Sequence, residues 1–326
     1  MTPTVSIIIP AYQTADLIGE TLESVARQTR GDFEAIIIDD GSTDALAAAC
    51  APFLTDERFA LHHFDNGGLA TARNRGIELA RGEYIALVDA DDHMEPTYLE
   101  DMLSAIEAAP DADIVCCDAT MFGVPDRDGR RLSEFEPMDT EPTLMNVLAN
   151  RFLIYVGATM RTEAVRAVGG FTPGMQAAED FDLWVRMLAR GSRVIHVPKA
   201  LARYRRRAGS LSNSPTKMHI GRAQAYLRAL GLLGARPREA ALCRRKLGEI
   251  LGLMDFYEGE RALLRGDITI ARAHFHEAAR QGVLSPKWRV LRMLLDVAPG
   301  VAKRAVRRRH DRLPPIARLS AGPAAA

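Results

Sequence analysis

The sequence predicts an α/β fold with a mixed, mostly parallel sheet flanked by helices, followed by an all-α C-terminal extension. Three observations carry this. Short β-branched runs alternate with helical stretches over the first 120 residues. Acidic residues gather where those runs end. After Ser214 the chain changes to long patterns rich in Ala, Leu and Arg. Strand, helix, strand in this rhythm implies parallel strands with helices on both faces.

Val5–Pro10 is β-branched and apolar and reads as a buried strand; an amphipathic helix follows near Ala15–Gln28. Phe33–Asp39 is a second strand and Phe59–Phe64 a third, with a helix over Leu69–Ala80. Tyr84–Asp89 and Asp113–Cys117 are strands separated by a helix over Thr97–Ala108. Phe122–Pro142 is polar, with Pro, Asp and Gly, and reads as a loop or hairpin excursion. Mixed helix and turn continue to Arg190, and Val194–Pro198 and Ala200–Arg206 are expected as two short strands. The predicted organisation is a domain over 1–214, a helical extension over 215–312 and a disordered tail over 313–326.

The 326 residues are 47% hydrophobic, enough for one large domain or a domain with a smaller partner. No apolar stretch reaches the roughly 18 residues of a membrane span. The N-terminus lacks a basic signal-peptide n-region, and Cys50, Cys116, Cys117 and Cys243 show neither metal-ligand spacing nor a disulfide framework. These features place the expected location in the cytoplasm. The net charge of zero conceals a division: residues 1–150 carry a balance of −20 and residues 151–326 one of +20. Such a separation points to an anionic partner for the second half, or to mutual neutralisation of the halves.

Ligands of open α/β sheets bind at the carboxyl ends of the strands. Here those ends hold Tyr12, Asp39-Asp40-Gly41-Ser42 and Asp89-Ala90-Asp91-Asp92. One acid after a strand is ordinary turn chemistry. Several like charges on one edge are costly without a cation, and Mg²⁺ or Mn²⁺ takes oxygen ligands and bridges carboxylates to phosphates. The acids alone leave a metal–phosphate site and solvated turns both open.

The runs VSIIIPAYQTADLIGETLESVARQ, FEAIIIDDGSTD, NGGLATARNRGIELARGEYIALVDADD and VGGFTPGMQAAEDFDLWVRMLARG follow in that order. Together they resemble the family 2 glycosyltransferases, inverting enzymes of the GT-A fold, over residues 4–212. The resemblance implies transfer of a sugar from a nucleotide-sugar donor, a UDP-sugar first, to a glycan or lipid-linked acceptor, with a divalent metal, Mn²⁺ or Mg²⁺. Pro10 and Tyr12 would line the nucleoside pocket, and Asp40 would contact base or ribose. Asp89-Ala90-Asp91 matches the DxD motif, Asp91 as the direct metal ligand and Asp89 toward ribose, sugar or metal. Asp92 would support the site or cap the turn. Arg73 would contact the donor, where a guanidinium stabilises a departing diphosphate. Gly67 and Gly68 read as structural, permitting a tight helix entry.

Glu179-Asp180 matches the ED motif, with Asp180 the expected general base; two acids are also what the first turn of any helix favours. Trp184 would stack on a sugar or fill the core, and is expected at the pocket. Direct displacement needs no covalent nucleophile. One departure stands out: Tyr204-Arg205-Arg206-Arg207 has Arg207 where the family often has a His, with Ser210 and Ser212 following. An arginine neutralises phosphate but is a poor metal ligand.

Gly259, Gly266, Ala271, Phe275 and Ala278 resemble one tetratricopeptide-like unit, predicting a helical hairpin rather than a solenoid. The segment from Trp288 to Leu295, followed by Lys303-Arg304 and Arg307-Arg308-Arg309, is basic and amphipathic. It suits an anionic membrane surface at the inner face, or an ordinary helix covering apolar surface. No nucleic-acid motif is present. Three other classes were weighed. A sugar nucleotidyltransferase would want a Gly-rich, Lys-bearing loop, absent from Ile7–Thr14; a dehydrogenase would want G-x-G-x-x-G after the first strand. A non-catalytic scaffold would have lost the DxD or ED acids, and both are kept.

Overall fold

The computed structural model describes residues 2–207 and 214–311; Ser210, Ser212 and the tail 313–326 lie outside them. The described residues form two compact units, 2–207 with 232–235, and 214–231 with 236–311.

The first unit is built on a sheet of eight strands: β1 (Val5–Ala11), β2 (Phe33–Asp40), β3 (Phe59–Phe64), β4 (Tyr84–Leu87), β5 (His93–Met94), β6 (Ile114–Phe122), β7 (Thr159–Arg161) and β8 (Val194–Arg205), in the order β3-β2-β1-β4-β7-β6-β8-β5. β1 pairs parallel with β2 and β4, β2 with β3, and β6 with β8. β7 runs antiparallel between β4 and β6, and β5 antiparallel to β8. All strands but β5 and β7 therefore point one way and bring their carboxyl ends to one edge. β1 and β2 are buried throughout, as their unbroken β-branched runs require.

The helices of this unit are α1 (Ile18–Ala26), α2 (Leu46–Cys50), α3 (Leu69–Leu79), α4 (Tyr98–Ala108), α5 (Leu144–Leu148), α6 (Thr162–Ala167) and α7 (Glu179–Ala189). α1 buries Ile18, Leu22 and Val25 and α4 buries Leu99, Met102, Leu103 and Ile106, at helical spacing. These face Ile7, Ile9, Ile37 and Val115 of the sheet in one core. α3 lies so close to β1 that a Cβ on Gly76 would stand 2.4 Å from Ile8 Cγ2.

Two expectations are corrected. The polar stretch after Phe122 contains a short 3₁₀ turn at Leu132–Glu134. The two short strands after Arg190 are one strand, β8, whose register against β6 slips at Asp118. Pro198, which has no N–H to give, sits in that irregular stretch, where the ladder does not need one.

The second unit is helical: α8 (Pro215–Leu232, whose last residue belongs to the first unit), α9 (Pro237–Arg265), α10 (Ile268–Arg280), α11 (Pro286–Val297) and α12 (Pro299–Asp311). α9 and α10 form the predicted hairpin. Gly266 ends α9 at φ 100°, a left-handed cap that glycine adopts without strain. A Cβ at Gly259 would stand 3.1 Å from the Phe275 ring, so the glycine lets the helices close on Ala271, Phe275 and Ala278. Trp288 meets Phe256 edge-on at 4.6 Å between centroids, and Leu291, Leu295, Ala302 and Val306 join the same core.

Candidate active site

At the carboxyl edge, the β4 strand runs into Asp89-Ala90-Asp91-Asp92, a turn closed by Asp92 N–H donating to Asp89 O at 2.9 Å. Arg205 at the end of β8 fixes this turn. Its Nε donates to Asp91 O at 2.8 Å and its backbone N–H to Asp92 Oδ1 at 2.8 Å. Tyr155 Oη donates to Asp92 Oδ2 at 2.9 Å. Asp92 is buried, and that burial, with Asp89 and Asp91 nearby, pushes its carboxyl well above the usual range. It is a support of the turn, with no surface to offer a ligand.

Arg73, in the middle of α3, is 1% exposed. Its Nη2 donates to Asp89 Oδ1 at 2.7 Å and its Nη1 to Glu179 Oε1 at 2.6 Å, and it lies 5.2 Å from the Phe171 ring centre. Burial opposes its charge, but the Asp89 and Glu179 carboxylates outweigh that and push the guanidinium up. Arg73, expected at the donor, is enclosed here because two acids from distant segments converge on it. It is the strut that joins the DxD and ED segments. Glu179, buried in that pair, is likewise turned inward.

Asp180 is the half-buried acid beside it, in the first turn of α7. Its Oδ1 accepts from Phe181 N–H at 2.7 Å. The residue before the helix, Ala178, has φ 57°, a left-handed conformation that costs a non-glycine residue about 1 kcal/mol. The preceding loop is clamped to α3: Asn74 Nδ2 donates to Phe171 O at 2.8 Å, and Phe171 N–H donates to Asn74 Oδ1 at 2.7 Å. Gly170 is required there, since its φ is 67° and a Cβ would meet Asn74 Oδ1 at 2.5 Å. Arg186 Nε pairs with Asp182 at 2.8 Å, while its Nη1 and Nη2 donate to the Val168 and Gly170 carbonyls and hold the same loop.

Trp184 is corrected from the pocket to the core. α7 is buried nearly all round, from Phe181 through Leu183, Val185, Met187 and Leu188, and the indole lies within it. Tyr12, by contrast, is 52% exposed at the end of β1, where strand order reverses between β2 and β4. Pro10, one step inside the strand, is buried opposite Ile38. Asp40 is also buried, and its carboxylate accepts from the Gly67 and Gly68 N–H groups at 2.9 and 2.8 Å and pairs with Arg75 at 2.7 Å. It organises the entry of α3, and Gly68, at φ 82°, makes that entry possible.

Asp91 is half-buried, and Arg207 Nε stands 2.9 Å from its Oδ2. Burial and Asp89 raise the Asp91 carboxyl, while Arg207 draws it down. Sequence reasoning missed Tyr155, Asn74, Arg75 and Arg205. Asn74 and Arg75 lie inside the motif run already quoted, whereas nothing around Tyr155 marks it.

The profile of glycosyl transferase family 2 matches residues 6–169. The uncharacterized glycosyltransferase EpsJ of Bacillus subtilis is 30% identical over 271 residues, covering 77% of this chain and 78% of EpsJ. The chain belongs to glycosyl transferase family 2. In the same organism the putative glycosyltransferase EpsH is 43% identical over 118 residues, 36% of this chain, a match spanning only 34% of EpsH. The putative teichuronic acid biosynthesis glycosyltransferase TuaG is 29% identical over 217 residues, covering 66% and 84% of the two chains. Among solved structures, S. aureus TarS 1–349 with UDP-GlcNAc superposes at TM-score 0.63 with 20% identity, covering 94% of this chain and 91% of that one. The mannosyltransferase PcManGT of Pyrobaculum calidifontis, with GDP-Man and Mn²⁺, gives 0.56 and 19%, covering 96% and 89%. The transferase thus has the GT-A fold.

For a divalent ion, Asp91 offers hard oxygens suited to Mg²⁺ or Mn²⁺. Among the described residues no three His, Cys, Asp or Glu stand together as a ligand set. No helix among the described residues is long and apolar enough to cross a membrane.

Proposed function

We propose that the transferase moves a sugar from a nucleotide-diphosphate sugar, a UDP-sugar first, to the hydroxyl of a glycan or lipid-linked acceptor, with inversion. The observation that carries this is the convergence of Asp89-Ala90-Asp91 and Glu179-Asp180 on Arg73, at the edge where strand order reverses. TarS was crystallised with UDP-GlcNAc and PcManGT with GDP-Man and Mn²⁺, which supports a donor of this class. TuaG, named for teichuronic acid biosynthesis, supports a polysaccharide acceptor.

In this reading residues 1–214 are the catalytic domain and 215–312 its helical extension. Tyr12 stacks on the base and Pro10 shapes the floor beneath it. Asp40 acts on the nucleoside through the loop it holds. Asp91 holds the divalent ion, which supplies Lewis-acid charge to the diphosphate. Asp180 accepts the acceptor hydroxyl's proton as its oxygen attacks the anomeric carbon; the bond from that carbon to the diphosphate oxygen breaks on the opposite face. Glu179 and Arg73 keep Asp180 and Asp89 in fixed relation, so less of the alignment has to be found at each turnover.

The extension meets an anionic membrane surface. Within the basic amphipathic segment, Trp288, Leu291 and Leu295 pack on the hairpin. Val290, Met293 and Val297 remain exposed at 57, 60 and 80%, and Lys287 and Arg289 of the same helix and Arg304, Arg307 and Arg308 of the next are exposed as well. Exposed apolar side chains together with exposed cations suit a surface of anionic headgroups over acyl chains.

Calorimetric titration with UDP, GDP, CDP and dTDP, with and without Mn²⁺, tests the donor reading on wild type and Asp91→Ala. One nucleotide is expected to bind and to weaken in the variant. Failure of all four to bind would overturn it.

A further inference from the structure

Tyr155 lies outside the motif runs, on the loop between α5 and β7, and is 5% exposed. A buried tyrosine needs a partner for its hydroxyl. Here the partner is Asp92, whose Oδ2 accepts from Tyr155 Oη at 2.9 Å while its Oδ1 accepts the Arg205 N–H at 2.8 Å. The Asp92 carboxyl is thus held from two elements, and its own N–H closes the turn on Asp89 O. β4 ends at Leu87, so the acids project beyond the paired strand. One hydrogen bond and one residue separate Tyr155 from Asp91.

The loop that carries Tyr155 is anchored to that same strand. Leu87 N–H donates to Ala158 O at 3.3 Å, and Ala158 N–H donates to Val156 O at 2.7 Å. Gly157 has no room for a side chain, since a Cβ would stand 2.6 Å from Tyr155 Cε1. Its carbonyl accepts from Tyr98 Oη at 3.1 Å, and the Tyr204 ring centre lies 5.7 Å from that of Tyr155. From Leu87 through Ala158 and Tyr155 back to Asp92, these contacts close a bracket around Val88–Asp91. The Tyr155 hydroxyl is the link that completes it. A phenylalanine would fill the same space, so packing accounts for the ring and not for a hydroxyl aimed at the acid turn.

Groups behind a metal-ligating carboxylate keep it oriented, and losing one typically costs about ten- to a hundredfold in metal affinity. We propose that Tyr155 is a positioning residue of the donor site: through the buried Asp92 carboxyl it fixes the turn on which Asp91 meets the divalent ion. This rests on the donor-site reading above and deepens it. Tyr155, buried behind Asp92, offers no ligand of its own. Its loss should therefore appear in the metal requirement rather than in nucleotide binding itself.

The test is calorimetric titration of the full chain with UDP and GDP, in EDTA and over a series of Mn²⁺ concentrations. Wild type, Tyr155→Phe, Asp92→Asn and the double variant are compared. Tyr155→Phe should raise the Mn²⁺ concentration that gives half-maximal nucleotide binding by about tenfold or more. In EDTA and at saturating Mn²⁺ its nucleotide affinity should stay within about threefold of wild type. Asp92→Asn leaves one oxygen for two donors and should move the requirement the same way. The double variant should move it little further, since both changes act through one bond. Ser6→Ala is the control: it removes a buried hydroxyl from Glu34 near the start of β1, away from the carboxyl edge. It should lower the thermal midpoint and leave the Mn²⁺ requirement unmoved.

A requirement within about twofold of wild type in Tyr155→Phe overturns the proposal and leaves the donor site standing. So does an equal loss of nucleotide affinity with and without Mn²⁺, a double variant whose shifts add, or an equal shift in Ser6→Ala. Wild-type binding indifferent to Mn²⁺ overturns it too. If Tyr155→Phe does not fold, Asp92→Asn carries the same test. If neither nucleotide binds wild type in any condition, the donor-site reading falls and takes this one with it.

Discussion

Replacing Arg73 with Met removes the strut between the two acid segments while keeping most of the apolar stem against Phe171. The guanidinium is 1% exposed, and its partners Glu179 and Asp89 have side chains 9 and 27% exposed. Breaking a buried pair leaves a charge without compensation and costs about 3–5 kcal/mol. Here two carboxylates would be left facing one another, one of them partly hydrated, which favours the lower end. Arg73 Nε has no hydrogen-bond partner among the described residues, so its removal returns about 1 kcal/mol. The net expectation is a loss of about 2 kcal/mol. The exposed pair Arg130–Glu134 is the control, and Arg130→Met should cost less than about 1 kcal/mol. The two tryptophans fall one in each unit, so urea unfolding followed by fluorescence in a Trp288→Phe background reports the first unit through buried Trp184. Adding Glu179→Gln to Arg73→Met neutralises one of the stranded acids and should recover part of the loss. A cost below about 1 kcal/mol for Arg73→Met, or no recovery in the double variant, refutes the reasoning.

Asp180→Asn should lower transfer about 10²- to 10⁴-fold while nucleotide affinity stays within about threefold; unchanged turnover would remove the base assignment. Combining Val290→Asp, Met293→Asp and Val297→Asp should abolish co-sedimentation with phosphatidylglycerol vesicles, without change in helical content, and wild type should ignore phosphatidylcholine vesicles. Glu34 gives a pH dependence. Burial alone would raise its carboxyl, but Ser6 Oγ and Arg81 donate to it and hold it below the usual range. The unfolded chain therefore takes up that proton first as pH falls. The stability from this group is complete above the unfolded value of about 4.3 and is lost as pH drops through the lower folded one. Thermal midpoints measured between about pH 6 and pH 3 should fall less steeply in Glu34→Gln than in wild type.

What was legible in the sequence follows from the range of the interaction that produces it. β1 and β2 show themselves because burial on both faces demands unbroken apolar runs, a local property. β7 escapes: three residues, Thr-Met-Arg, hold no period, and only the gap between β4 and β6 makes them a strand. Pro198 divides a pattern that the backbone carries through, because a bulge excuses its missing N–H. Trp184 was assigned to the pocket by analogy, and only the packing around α7 shows it enclosed.

The site divides in the same way. The acids at the strand ends were visible; what each does was not, because their partners lie far along the chain. Arg73 meets Asp89 across 16 residues and Glu179 across 106. Asp92 meets Tyr155 across 63 and the Arg205 backbone across 113. A charged residue in a helix reads as solvated until its partners are known, and Arg73 shows how far that can mislead. Arg73, in the middle of a helix, is the enclosed one; Arg207, past the last strand, remains half open. The enclosed arginine fixes geometry, since releasing it exposes two stranded acids.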